Sequence, residues 1–303
     1  MLKIFLKFFN NKRYVSEKNE KNKSIWHKKY VDLIHPEIKK NSLALKNKNE
    51  ISFLHSGQIG DIINSLALVK KISEDKTCNF YLEVGKPMPK DVNNKHKYYS
   101  QYFISKDVSK KLVPLLKRQK FIKKIEIYEN QEIDINLNFF REMYSNFNID
   151  SVRWYFHLTG IHANLNESYI EAENHKNFKN VITIMRSSRR QNDLINYKFL
   201  NKYDDIIFLG LKSEYIELKK DINNLHFYDC RDFLELAMIL KNSKVFIGNL
   251  SFGYALAEAL KIPRLLESGP NFPLVYPNGR NGYDFYHQEH FEGLFENLYN
   301  KKD

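Results

Sequence analysis

The rhythm of apolar residues changes at residue 51. ISFLHSG (51–57) is a short apolar run ending in a turn signal, and Asp61–Ser73 then sets Ile62, Leu66, Val69 and Ile72 at helical spacing. The predicted order is strand, glycine-containing loop, helix. Asn79–Val84 predicts a second strand and Lys106–Lys117 a helix. Ile122–Tyr128 and Ile133–Leu137 read as strands, and Ser151–Leu158 as a helix. The second half alternates more clearly. Asn180–Met185, Asp205–Leu211, Leu225–Tyr228, Lys244–Gly248 and Pro263–Leu266 predict strands. Helices follow from Ser213, over Arg231–Lys241, over Ser251–Leu260 and over His290–Tyr299.

Strands alternating with helices predict an α/β protein with mostly parallel sheets. Two such sets predict two Rossmann-like domains facing across a cleft, residues 51–175 and 176–303. The polar stretch Asn164–Lys179, which lacks periodicity, is the expected boundary. In open α/β sheets a ligand sits beyond the carboxyl ends of the strands, so the cleft is the expected site.

Residues 1–50 stand apart by charge. They carry 13 basic and 5 acidic side chains, against 35 and 31 in the remaining 253 residues. The near-balanced body is not that of a nucleic-acid binder, and no nucleic-acid partner is expected. The opening MLKIFLKFFNNKRY mixes Leu2, Ile4, Phe5, Leu6, Phe8 and Phe9 with Lys3, Lys7, Lys12 and Arg13. Lys7 breaks the apolar run, and no small-residue cleavage site follows as a secretory signal would require. The segment suits peripheral contact with an anionic membrane surface, or else packs on the body. SEKNEKNKS (16–24) is expected to be a mobile polar stretch. No apolar run approaches the ~18–20 residues of a membrane span. The two cysteines, Cys78 and Cys230, form no CxxC and no Cys/His cluster, so neither a disulfide scaffold nor a cysteine zinc site is expected. Their number fits a reducing, cytoplasmic setting.

Two segments carry candidate chemistry. The first is His55-Ser56-Gly57-Gln58-Ile59-Gly60-Asp61. Its glycines allow a tight turn and a close approach by ligand. Asp61 opens the following helix, where a carboxylate could take a proton from a hydroxyl. Taken alone, the segment favours the simpler role of a helix cap. His55, Gly57 and Gly60 are the candidate acceptor-side residues, and His55 is a second candidate base. The other segment runs from Gly248 to Pro263. Gly248, Asn249, Ser251, Phe252 and Gly253 could cradle a diphosphate at a helix N-terminus. Glu258 lies further along that helix among alanines, where a ribose diol or plain solvent would be its partner. Arg186-Ser187-Ser188-Arg189-Arg190 follows a strand end, so Arg186, Ser187, Arg189 and Arg190 are candidates for phosphate contact. No Asp-x-Asp metal signature is present, and neither a metal nor a cofactor is expected.

Together these segments resemble glycosyltransferases of the GT-B fold, and most of all the heptosyltransferase-like group, glycosyltransferase family 9. Gly57, Gly60 and Asp61 match that group's G-x-x-G-D followed by a helix. Gly248, Ser251, Ala257, Ala259, Leu260 and Pro263 are similar to its donor loop and helix. The resemblance spans residues 51–270. It implies that Asp61 is the base, that a nucleotide-sugar donor binds the C-terminal domain, and that a glycan or glycolipid acceptor binds the N-terminal domain. It further implies inverting, metal-independent transfer in bacterial surface polysaccharide or lipopolysaccharide synthesis. The chain departs from the group in two places. Ser251-Phe252-Gly253 stands where a histidine is usual, and the arginine segment stands where a lysine is usual. The Ala-Glu-Ala-Leu-x-x-Pro form looks like the donor helix of other GT-B transferases, in which the glutamate binds ribose; that supports Glu258. The rival readings are a nucleotide-sugar epimerase and a scaffold without catalysis. Glu214, Phe252 and Tyr254 are weaker candidates for contact with the nucleoside.

Overall fold

The computed structural model describes residues 11–89, 101–142, 150–162, 164–269 and 275–301. The apolar segment over residues 2–9 therefore lies outside the described residues. The chain enters as helix α1 (Asn11–Lys29), passes through a π-helical turn (Tyr30–Ile34) and continues as α2 (His35–Asn47). The stretch 16–24, expected to be mobile, is thus helical. It gave no sign of this because α1 buries no residue and has no apolar face to show in the pattern. Pro36 opens α2. It has no N–H to donate, and the His35 N–H reaches Tyr30 O to close the π turn. The anchor lies further on, where Ile34 is buried and Asn41 Nδ2 donates to Leu158 O at 2.9 Å.

The first sheet contains β1 (Glu50–His55), β2 (Thr77–Leu82), β3 (Lys124–Ile127) and β4 (Ile135–Asn136), in the order β3-β2-β1-β4. Its helices are α3 (Ile59–Ser73), α4 (Lys106–Lys117) and α5 (Ser151–His157), with a 3-10 turn over Leu137–Glu142. The second sheet contains β5 (Val181–Met185), β6 (Ile206–Leu209), β7 (His226–Tyr228), β8 (Ser243–Asn249), β9 (Arg264–Glu267) and β10 (Gly282–Phe285), in the order β10-β9-β8-β5-β6-β7. A 3-10 turn over Lys198–Lys202 and helices α6 (Lys212–Leu218), α7 (Phe233–Lys241), α8 (Phe252–Leu260) and α9 (Gln288–Tyr299) complete it. Every strand pairing is parallel. Strand β10 is an addition to the expected set: its burial alternates and its sequence, GYDF, has no apolar run.

Strands buried on both faces read as continuous apolar runs, which is why VITIM and IIFL were legible. The cores are less separate than two independent domains would have them. One cluster runs from Ile51, Phe53 and Leu66 through to Leu236, Tyr254 and Leu256 of the second half. It is continuous because α3 crosses α8 closely: a Cβ on Gly60 would lie 3.8 Å from Phe252 Cα and 3.9 Å from Ala255 Cβ. A second cluster, including Ile184, Phe208, Phe285 and Phe291, fills the far side of the second sheet.

Candidate active site

Read from β7 inwards, the second sheet runs 3-2-1-4-5-6 in order of appearance, and the first sheet follows the opening of the same order. Such a sheet has one switch point, between its first and fourth strands, where the connections leave in opposite directions and open a crevice. The first switch point lies between β1 and β4, and the second between β5 and β8. Four segments leave those strand ends: 56–61, 138–141, 186–190 and 250–253. All four contribute to one cleft of about 820 Å³.

On the first wall, Gly57 takes φ +103°, a conformation side chains avoid, and a Cβ there would lie 2.9 Å from Phe103 O. Gln58 caps α3 and forms a capping box with Asp61: the Gln58 N–H donates to Asp61 Oδ2 at 3.3 Å, and the Asp61 N–H donates back to the Gln58 side chain. The cleft-facing carboxylate is therefore not the cap itself but its partner in the capping box. Arg141 donates to the same oxygen at 3.0 Å, to Gly57 O, and to Asn138 Oδ1 at 3.2 Å. Asp61 Oδ1 takes no hydrogen bond from a described residue and remains for a ligand.

On the second wall, Ser251 caps α8 without a side-chain hydrogen bond, and Ser251, Phe252 and Gly253 line the cleft, which brings the N-terminus of α8 to its edge. Arg189, Arg190, Ser187 and Glu214 line the cleft beside it. Glu214 Oε1 accepts from Ser188 N at 3.1 Å, and Arg190 Nη1 donates to Leu250 O at 3.4 Å. Cys230 also lines the cleft, but burial and the nearby carboxylates of Glu235, Asp229 and Asp232 push its thiol up to about 12. It is present as a neutral thiol, not a nucleophile.

The expected site residues separate into two groups. Asp61, Gly60, Ser187, Arg189, Arg190, Ser251, Phe252 and Gly253 line the cleft. Arg186 and Glu258 do not, and both are corrections. Arg186 turns inward to a bidentate pair with Glu267, at 2.7 and 2.8 Å, over the Tyr197 ring. Burial opposes its charge, but the Glu267 carboxylate more than reverses this and raises its pKa. Glu258 is buried and accepts from Arg264 Nε at 2.6 Å, from Asn278 N at 3.1 Å and from Lys261. With its oxygens used in this way, it has none left for a ribose.

His55 is also withdrawn from the ligand surface. It is fully buried; Nδ1 accepts from Gly57 N at 3.0 Å, so Nε2 carries the proton towards Tyr155 Oη at 3.1 Å. Burial, then the Arg141 charge, hold its pKa well below the usual histidine range. It props up the loop as a neutral ring. Asn249 is buried and straps the two loops together, accepting from Ser187 N at 2.8 Å and donating to Ser187 O at 2.6 Å. Gly248 is required by packing, since a Cβ there would lie 2.8 Å from Met185 O. Tyr254 is buried and cannot stack on a base. Arg141 went unnoticed in the sequence; its one signal is its place just beyond β4, which matters only once β4 is known to lie beside β1. Residues 270–274 lie outside the described residues. Among the described residues, no three His, Cys, Asp or Glu side chains form a metal-holding group.

Two parallel sheets with their switch points facing across one cleft make the GT-B fold of glycosyltransferases. Solved structures share it. The glycosyl transferase family 9 structure from Veillonella parvula DSM 2008 superposes with a TM-score of 0.55 over 87% of this chain and 92% of its own, at 9% identity. E. coli ADP-heptose lps heptosyltransferase II superposes with a TM-score of 0.56 over 82% of this chain and 98% of its own, at 10% identity. No family model and no curated protein matches the sequence.

Proposed function

We propose that the protein is an inverting, metal-independent glycosyltransferase that moves a sugar from a nucleoside-diphosphate sugar to a glycan or glycolipid. One observation carries this reading: a carboxylate with an open oxygen on one wall shares one cleft with a helix N-terminus whose Ser251 cap makes no side-chain hydrogen bond, flanked by two arginines, on the other. The first-turn N–H groups of α8, with Arg189 and Arg190, suit a diphosphate. Asp61 Oδ1 would take the proton from the acceptor hydroxyl as that oxygen attacks the anomeric carbon. The C–O bond to the diphosphate breaks on the opposite face, and its growing negative charge falls on the α8 N-terminus and the arginines.

The named heptosyltransferase neighbour motivates a role in lipopolysaccharide or related surface polysaccharide synthesis, at the cytoplasmic face of the membrane. Helix α1 has no apolar face, so any support it gives that placement comes from its lysines and their attraction to anionic headgroups. No helix among the described residues is long and apolar enough to cross a membrane.

The test is transfer from a panel of nucleoside-diphosphate sugars to short glycans with EDTA present, with the product anomer read by NMR. Transfer with inverted configuration is expected. Retained configuration, or transfer that needs an added divalent ion, would overturn the mechanism.

A further inference from the structure

We propose that the acceptor wall of the cleft receives an uncharged sugar ring, stacked on aromatic faces and hydrogen-bonded through its hydroxyls, and not a phosphorylated or carboxylated sugar. The inference rests on the proposed function and names the substrate class for its acceptor half.

The cation nearest Asp61 is already committed. The Arg141 guanidinium lies between the Phe103 and Phe140 rings, 4.6 and 4.4 Å from their centroids. Its Nη1 is used by Asn138, and its Nη2 by Asp61 and Gly57 O. An anionic sugar would have to take Arg141 from Asp61 while sitting beside the Asp61 charge. Among the described residues the other base on this wall is Lys111, which lines the cleft with the carboxylates of Asp107 and Asp229. An anion-binding wall would instead present uncommitted, convergent cations.

What the wall does present is aromatic. Trp154 stacks on Phe140 at 5.3 Å and 17°, and both line the cleft with Phe103 and Tyr102. The C–H face of a pyranose carries slight positive charge and matches the negative face of such rings. Two polar atoms beneath it lack partners. Asn64 lies one turn beyond Asp61 on the same face of α3 and is only 5% exposed. Its Nδ2 donates to Ser151 Oγ at 3.0 Å, while Oδ1 has no partner among the described residues. Turning the amide over would exchange which of the two atoms is left unpaired. The Trp154 indole N–H is likewise buried without a partner among the described residues. Buried polar groups are ordinarily hydrogen-bonded. An acceptor and a donor left over in one cleft fit hydroxyls, which both donate and accept. Their place beside Asp61 would bring a ring hydroxyl to Oδ1.

The test uses the full chain with Trp26→Phe, which leaves Trp154 as the one tryptophan of the two in the sequence. Its emission is followed during titration with methyl glycosides of neutral hexoses and heptoses, with a methyl glucuronide, and with a sugar phosphate. Nucleoside-diphosphate binding is measured on the same sample by calorimetry. Neutral glycosides should shift the emission and bind more tightly than the acidic ones. Asn64→Leu should weaken them about tenfold, the effect of losing one hydrogen bond. Trp154→Phe, read by saturation-transfer NMR, keeps an aromatic ring in the wall but removes the N–H together with part of the stacking face, and should weaken them by about tenfold or more. Tighter, salt-sensitive binding of the acidic sugars would overturn the proposal. So would binding of the nucleotide with no glycoside bound, in which case the proposed function stands. Loss of both would remove both.

Discussion

The two walls of the cleft use charge in opposite ways. On the first, Asp61 and Arg141 hold each other at the cleft surface, so the carboxylate is fixed in place and the cation is spent. On the second, charge is sorted by depth. Arg186–Glu267 and Arg264–Glu258 are paired inside, while Arg189 and Arg190 stand at the cleft beside the α8 N-terminus. The inner pairs tie the end of β5 to the end of β9 and the start of β9 to α8, and the outer arginines are where a phosphate could be met. Charged residues three or four positions apart thus do different work, and the difference is burial and partner, not residue type.

The comparison can be broken at either wall. The largest effect belongs to the first: Asp61→Asn removes the proton acceptor and should cut transfer by about two to four orders of magnitude, measured as product formed per unit time with donor binding retained. Next is the inner layer of the second wall. Arg186→Leu leaves Glu267 buried without its cation and should cost about 3–5 kcal/mol in urea unfolding. Arg189→Ala should leave the unfolding midpoint nearly unchanged and weaken nucleoside-diphosphate binding about tenfold or more, the effect of losing a charge-assisted hydrogen bond. If the two arginine variants exchanged these outcomes, the sorting by depth would be wrong.

Smaller effects test the support of the first wall. His55 is neutral when folded, with its pKa depressed by burial, whereas the unfolded chain's histidine protonates below about pH 6.5. Between those two values the unfolded state binds the extra proton. Stability from this residue is therefore complete above about pH 6.5 and falls as pH drops, by up to about 1.4 kcal/mol per unit. His55→Gln should flatten that part of the urea-midpoint profile. Smallest is the contrast between the glycines. Gly57→Ala forces a side chain into positive φ against Phe103 O and should destabilise, whereas Gly60→Ala meets only ordinary contacts and should stay within about 1 kcal/mol of wild type.

Most of the fold was legible because buried parallel strands leave apolar runs and their helices keep an apolar face. Helix α1 was not, since it buries nothing and leaves no period to read. Strand β10 was not, because half of its four residues are polar or glycine and Gly282 is there to admit the Arg264 side chain. At the site, the segments were found but not the fate of each side chain. Arg186 and Arg189 sit in one loop and look alike. What separates them is Glu267, 81 residues beyond Arg186. Glu258 looked like a ligand contact among alanines until Arg264 and Lys261 claimed its oxygens. Arg141 carries no motif, and only the order of the sheet brings it to Asp61.

The most direct measurement is calorimetric titration of the folded protein with ADP, UDP, GDP and CDP and their sugar conjugates, with EDTA present, for wild type beside Arg189→Ala and Arg186→Leu. The account predicts that one nucleotide class binds and that Arg189→Ala weakens it, while Arg186→Leu, under conditions where it is still folded, retains it. Folded wild-type protein that binds none of them, or binding indifferent to Arg189, would contradict the assignment of this cleft to a nucleotide sugar.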